Sequence, residues 1–211
     1  MIRRITPAIL AILLAMPVAA QAPAGLELRV DASTDAADPD DVPNVTVTSV
    51  ANGFEVRTGP AVTAWNPANT VTGNYTLEGT FTLLQPSGHT NYYGLIHGGR
   101  GLEGASQSYI YFLVAQNGSF IIRHRAGDAV HDIIGRTANA AVVQPDANGT
   151  SVNRLQVRVG ANDTQYSVNG TVVHTAPKTD MAAQTDGIWG VRINHVIPGV
   201  RVEGLRVTPG E

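Results

Sequence analysis

From about residue 45 onward, apolar and polar residues alternate in short runs, and no window of 11 residues shows apolar positions at helical spacing. Tyr75-Thr-Leu-Glu-Gly-Thr-Phe-Thr-Leu83 puts Tyr75, Leu77, Phe81 and Leu83 on one side of a strand and Thr76, Glu78, Thr80 and Thr82 on the other. Leu155–Val159 repeats the pattern. Further strands are expected at Val45–Val50, Phe54–Thr58, Ala61–Trp65, Tyr92–His97, Tyr109–Ala115, Phe120–Arg125, Gln165–Val168, Thr171–Thr175, Ile188–His195 and Val200–Val207. Asn-Gly, the dipeptide that tolerates positive φ at both centres of a type I′ turn, separates strand-like runs at Asn52-Gly53, Asn117-Gly118 and Asn169-Gly170, predicting three hairpins. Many short strands without crossover helices or a repeat of 20 to 50 residues give an all-β, antiparallel two-sheet sandwich.

The first 22 residues differ from this pattern. Arg3 and Arg4 precede an apolar run from Ala8 to Met16, then Pro17 and small residues, which reads as a secretory signal peptide over residues 1–20, cut after Ala20. The run is shorter than the roughly 20 apolar residues of a spanning helix, so no membrane insertion is expected after cleavage. The expected localisation is secreted or periplasmic. Residues 21–44 read as an acidic, irregular lead-in, and 45–211 as the sandwich domain.

Composition narrows the chemistry. The 211-residue chain has no cysteine, which removes disulfides, thiolate metal sites and a cysteine nucleophile. Charged residues make up 15%, and Lys178 is the only lysine, so neither a nucleic-acid footprint nor a polybasic membrane patch is present. Without Arg3 and Arg4, the 14 basic residues fall to 12 against 17 acidic ones, a net charge of −5.

The ordered pieces GNYTLEGTF, NYYGLIHGG, SYIYFLVAQNGSFIIRHR, LQVRVGANDTQYSVNGTVV, DGIWGVRINH and VRVEGLRV, over about Gly53 to Val207, resemble the concanavalin A-like lectin/glucanase superfamily, and within it secreted laminin-G-like and keto-glycoside-hydrolase-like domains. The resemblance implies a jelly roll with a concave sheet face able to hold a glycan. Family-16 glucanases carry acids spaced E-x-D-x-x-E or E-x-D-x-E on one strand, and no strand here has such a set.

The remaining candidates are read from residue types. Glu55, Glu78, Asp132 and Glu203 are isolated strand acids, expected to be solvated and outward, whereas glycoside hydrolysis needs two carboxyl groups facing one bond. Asp38, Asp40 and Asp41 could offer oxygen ligands to calcium but lack the order of an EF-hand loop, so no cofactor is expected. Gly99-Arg-Gly-Leu-Glu-Gly104 matches a dinucleotide fingerprint in letters, but the strand-like SYIYFLVA follows it where a helix is required, making it a connecting loop. His97, His124 and His195 lie on three expected strands. His195 falls in phase with Trp189, Val191 and Ile193, as a core histidine would.

Phase also yields a distributed set. With Phe120 and Ile122 inward, Arg123 and Arg125 point outward; with Val191 and Ile193 inward, so do Arg192 and Asn194; with Ile110, Phe112 and Val114 inward, so do Tyr109 and Tyr111. Leu155, Val157 and Val159 likewise release Arg154, Gln156 and Arg158. Planar donors and aromatic rings on one face suit sugar hydroxyls and anionic groups. The expected ligand site is therefore Tyr109, Tyr111, Arg123, Arg125, Arg192 and Asn194, binding an oligosaccharide or polysaccharide without cleaving it. The alternative is a glycan-processing enzyme of the same fold, and the plain reading is the ordinary polar outside of a sheet.

Overall fold

The computed structural model describes residues 22–31 and 44–210. Asp38, Asp40 and Asp41, with the expected signal segment, lie outside them. Fourteen strands form two antiparallel seven-stranded sheets. They are β1 (Glu27–Asp31), β2 (Thr46–Val50), β3 (Gly53–Thr58), β4 (Ala61–Val71), β5 (Tyr75–Gln85), β6 (Tyr92–Arg100), β7 (Ser108–Ala115), β8 (Ser119–Ala126), β9 (Ala129–Ala138), β10 (Ser151–Val159), β11 (Asp163–Val168), β12 (Thr171–Pro177), β13 (Gly187–Ile193) and β14 (Ile197–Pro209). The first sheet runs β1-β4-β13-β6-β7-β8-β9 and the second β12-β11-β10-β5-β14-β3-β2. This is a jelly-roll sandwich, not closed into a barrel.

Alternation builds the interior. Tyr75, Leu77, Phe81 and Leu83 from β5 meet Ile110, Phe112 and Val114 from β7, Phe120 and Ile122 from β8 and Val191 and Ile193 from β13, all buried in one cluster between the sheets. Full burial of each such side chain contributes about 1.5–3 kcal/mol, so the inward phase is strongly fixed.

Three local expectations change. At Asn169-Gly170 both residues take positive φ, 51° and 84°, the type I′ turn expected there. Between β7 and β8 the loop is three residues, Gln116 to Gly118, with only Gly118 left-handed, φ 80°. Between β2 and β3 the turn is Ala51-Asn52, and Gly53 already pairs with Val50 inside the hairpin. Gly53 is required there for a different reason: any Cβ would collide with the Val202 carbonyl oxygen of β14. His195 is not in the core. The strand ends at Ile193, and His195 sits exposed in the following bend with φ 52°, its carbonyl accepting a hydrogen bond from the Thr58 hydroxyl at 2.5 Å. Strand phase does not extend through a bend.

His97 and His124 are the buried histidines among the described residues, and His97 is wholly enclosed. The Tyr75 hydroxyl donates to the Thr185 carbonyl at 2.7 Å and lies 3.1 Å from His97 Nδ1, while the Tyr166 hydroxyl lies 3.3 Å from Nε2. Since the Tyr75 proton is engaged, Nδ1 is the ring donor and Nε2 accepts from Tyr166. Burial, with a smaller contribution from the Lys178 charge, pushes the His97 imidazole down to about 3.

Two outcomes follow from this packing. Gly170→Val meets no atom within 4 Å but must hold φ near 84°, so it should cost about 1–3 kcal/mol through backbone strain alone; an unchanged melting temperature would contradict the turn. Native His97 stays neutral down to about pH 3, whereas in the unfolded chain it protonates near 6.5. The unfolded state therefore takes up the proton first, and stability is lost as pH falls below 6.5, by about 1.4 kcal/mol per pH unit from this residue. Denaturant melts at pH 6, 5 and 4 should show a shallower pH dependence for His97→Gln than for the parent, and equal slopes would show that His97 is not the source.

Candidate functional site

The six expected site residues stand on one face. Tyr109 pairs with Arg125 and Tyr111 with Arg123 across β7 and β8, and Arg192 lies on β13 with Asn194 just beyond it, all on the outer side of the first sheet. Arg192 binds the set together. Its Nε donates to Asn194 Oδ1 at 2.7 Å, and its Nη1 donates to the Tyr109 hydroxyl at 2.8 Å, Thr63 Oγ1 at 2.9 Å and Asp31 Oδ2 at 3.0 Å. The guanidinium carbon sits 5.9 Å from the Tyr109 ring centre and 5.8 Å from that of Tyr111, within cation–π reach. Arg154, Gln156 and Arg158, which share the same strand phase, belong to β10 in the second sheet and face away from this cluster.

The expectation of an open polar face needs correction. Arg192 is 5% exposed, Tyr109 1% and Tyr111 3%, and Trp65, Tyr92, Ile96, Leu102, Leu113 and Ile121 form a second apolar cluster with the two tyrosines. The first sheet is thus apolar on both sides near its middle. Sequence carried a signal of this that alternation alone misses: YYGLI, IYFLVA and FII are continuous apolar runs, as expected of strands covered on both faces. Thr63, Trp65 and Tyr92 escaped the sequence reading for the same reason. Gln107, two positions before Tyr109, is wholly buried with neither amide atom hydrogen-bonded.

Arg123 and Arg125 are the more accessible members. Arg123 Nε donates to Asp132 Oδ1 at 2.5 Å, and Arg125 Nε donates to the Gly127 carbonyl at 2.9 Å. Asp31, on β1 within the segment expected to be irregular, completes the cluster. That segment contains a regular strand because Glu27, Arg29 and Asp31 alternate with Leu28 and Val30, and it pairs with β4 from Glu27↔Trp65 to Asp31↔Ala61. Burial raises the Asp31 carboxyl, but hydrogen bonds from Arg29 and Arg192 and the charges of Arg192 and Arg125 outweigh it and hold it below its ordinary value. Four guanidiniums, Arg29, Arg123, Arg125 and Arg192, against three carboxylates, Asp31, Asp128 and Asp132, leave the cluster with one net positive charge. At its β1 edge, Glu27, Leu28, Arg29, Val30, Trp65 and Glu103 line an open depression of about 580 Å³.

Two of the strand acids are engaged on the second sheet. Glu55 accepts from Arg201 at 2.6 and 2.9 Å, and Glu78 is held by both Arg154 and Arg206. Burial raises the Glu78 carboxyl, and these guanidiniums more than offset that and keep it low. A general acid for glycoside cleavage needs the opposite shift. Among the described residues, no group of three or more His, Asp or Glu could hold a metal ion.

No protein-family model and no curated protein matches the chain. Solved structures do. The chain is similar to the carbohydrate-binding module CBM66 from Bacillus subtilis, with a TM-score of 0.59 and 12% identity over 78% of this chain and 91% of that one. It is similar to a Bacillus subtilis protein of unknown function with a galectin-like fold, with a TM-score of 0.58 and 10% identity over 87% and 89% of the two chains. A third similarity is to a GH16 protein from a Bacteroides ovatus mixed-linkage glucan PUL, bound to its product, with a TM-score of 0.58 and 9% identity over 90% and 97%. With its two seven-stranded antiparallel sheets and these similarities, the chain has the concanavalin A-like lectin/glucanase fold.

Proposed function

We propose that the protein is a secreted or periplasmic, non-catalytic carbohydrate-binding module whose ligand lies on the outer face of the first sheet. The observation that carries this reading is the convergence of Tyr109, Tyr111, Arg123, Arg125, Arg192 and Asn194 from three strands on one cationic, aromatic-backed patch. Tyr109 and Tyr111 are buried and back the patch from beneath, while guanidinium forks give hydroxyls and anionic groups paired donors. The division of labour differs between members. Arg192 and Tyr109 are tied to each other and to Thr63, Asn194 and Asp31 by internal hydrogen bonds and fix the geometry, while Arg123 and Arg125 are placed to meet a ligand. A carbohydrate-binding module among the similar structures supports the reading. The GH16 similarity favours an enzyme on fold alone, yet Glu55, Glu78 and Asp132, each bonded to arginine, are ill suited to acid–base chemistry.

Exposed ion pairs contribute only about 0–1 kcal/mol each, so binding should be weak and sensitive to salt. Titration calorimetry against neutral and acidic oligosaccharides at low and high salt tests this. The expected result is preference for acidic glycans, weakened by salt and lowered about tenfold in Arg123→Ala/Arg125→Ala, with no reducing ends released on incubation. Equal binding by the double variant would remove the site, and accumulating reducing ends would replace the binding reading with the enzymatic one.

A further inference from the structure

We propose that Asp31 is a built-in stand-in for a ligand carboxylate: it occupies a cradle of three guanidiniums that accepts the acid group of a uronate-containing glycan, and such a glycan binds by displacing it. This deepens the carbohydrate-binding reading and rests on it.

The arrangement is asymmetric in a way that a simple ion pair is not. Three arginines from three different strands, Arg29 on β1, Arg125 on β8 and Arg192 on β13, face one carboxylate. Oδ1 accepts from Arg29 Nε at 2.7 Å, Oδ2 accepts from Arg192 Nη1 at 3.0 Å, and Arg125 Nη1 stands 3.9 Å from Oδ2. Each oxygen of one planar group thus meets its own guanidinium, the geometry a sugar carboxylate would receive. With Asp31 in place, and Asp128 3.8 Å from Arg125, the cradle still carries one more positive than negative charge. Arg192, almost without solvent exposure, cannot dispense with a counter-ion.

Asp31 is the last paired residue of a short edge strand, opposite Ala61, so that end can part from β4 while Arg29, two residues inside and held by the Gly104 carbonyl, stays paired with Thr63. β1 is five residues long, lies at the sheet edge and pairs only with β4, and Glu27, Leu28 and Val30 on it are exposed. An element with few buried contacts and a single hydrogen-bonded neighbour opens at low cost. The three other arms of the Arg192 guanidinium network, Thr63, Tyr109 and Asn194, lie on or beside inner strands and would remain when Asp31 leaves. A depression lined by Arg29, Trp65 and Glu103 opens at the same edge.

Two variants test this. In Asp31→Asn the side chain keeps its size but no longer competes as an anion; calorimetry with a uronate oligosaccharide should show at least tenfold tighter binding than the parent, with a neutral oligosaccharide of equal length unchanged. In Asp31→Gly the cradle is vacated, and acetate should raise the melting temperature above that in chloride at equal ionic strength, an effect absent in the parent. If the parent binds uronate and Asp31→Asn binds it no more tightly, or if acetate does no more than chloride for Asp31→Gly, this inference falls while the carbohydrate-binding reading stands. If the parent and Asp31→Asn bind no glycan at all, the reading falls and this inference with it.

Discussion

A guanidinium buried on the outer side of a β-sheet is costly unless every donor is matched, and Arg192 is such a group. Its partners come from β1, β4, β7 and the bend after β13, so satisfying one charge requires four separate stretches of chain to be correctly placed. That requirement explains features which look unrelated. An N-terminal segment rich in acids becomes an edge strand because Asp31 has a counter-charge to meet. Tyr109 and Tyr111, which strand phase assigns to the polar side, are buried because their rings flank the guanidinium. Asn194, past the last ladder pair, is held by Arg192 Nε at the point where the chain bends.

The two sheets use charge differently. On the outer side of the second sheet, Glu78 is shared by Arg154 and Arg206, and Glu55 is paired with Arg201. There the carboxylates are the more buried partners and the guanidiniums of Arg154, Arg206 and Arg201 the more exposed ones. On the first sheet the order is reversed: the cation is buried and the carboxylate comes from the movable edge. A buried cation with an exchangeable counter-ion is suited to recognising anions. Between the sheets, the neutral His97 with Tyr75 and Tyr166 forms a separate polar group, fully matched and remote from solvent.

Much of the fold was legible because a period of two leaves a strong imprint when one face is buried, as along Tyr75–Leu83 and Leu155–Val159. β9 was harder to read: Ala129–Ala138 mixes His131, Asp132, Gly135 and Arg136 into an edge strand whose register to β8 shifts twice, so no clean alternation exists. The phase of Arg123, Arg125, Arg192 and the two tyrosines was legible too, and the sheet order brings them together. What phase could not reveal is depth. Whether an outward residue meets water depends on what lies over the sheet, and the only local sign was the continuity of apolar letters in IYFLVA and FII. Asp31 was missed for a related reason: its role is set by three arginines, two of them far along the chain, and the short strand carrying it adjoins an acidic stretch that obscures its alternation. Extending phase past Ile193 misplaced His195, because a bend resets side-chain direction.

The central claim is that ligand recognition lies on the outer face of the first sheet, around Arg192. Backbone and arginine side-chain NMR shifts recorded while a uronate oligosaccharide is titrated in test it most directly. The account predicts that the perturbed signals cluster at Tyr109–Tyr111, Arg123–Arg125, Arg192 and Asp31; perturbations confined to Glu78, Arg154 and Arg206 on the opposite sheet, or none at millimolar ligand, would contradict it.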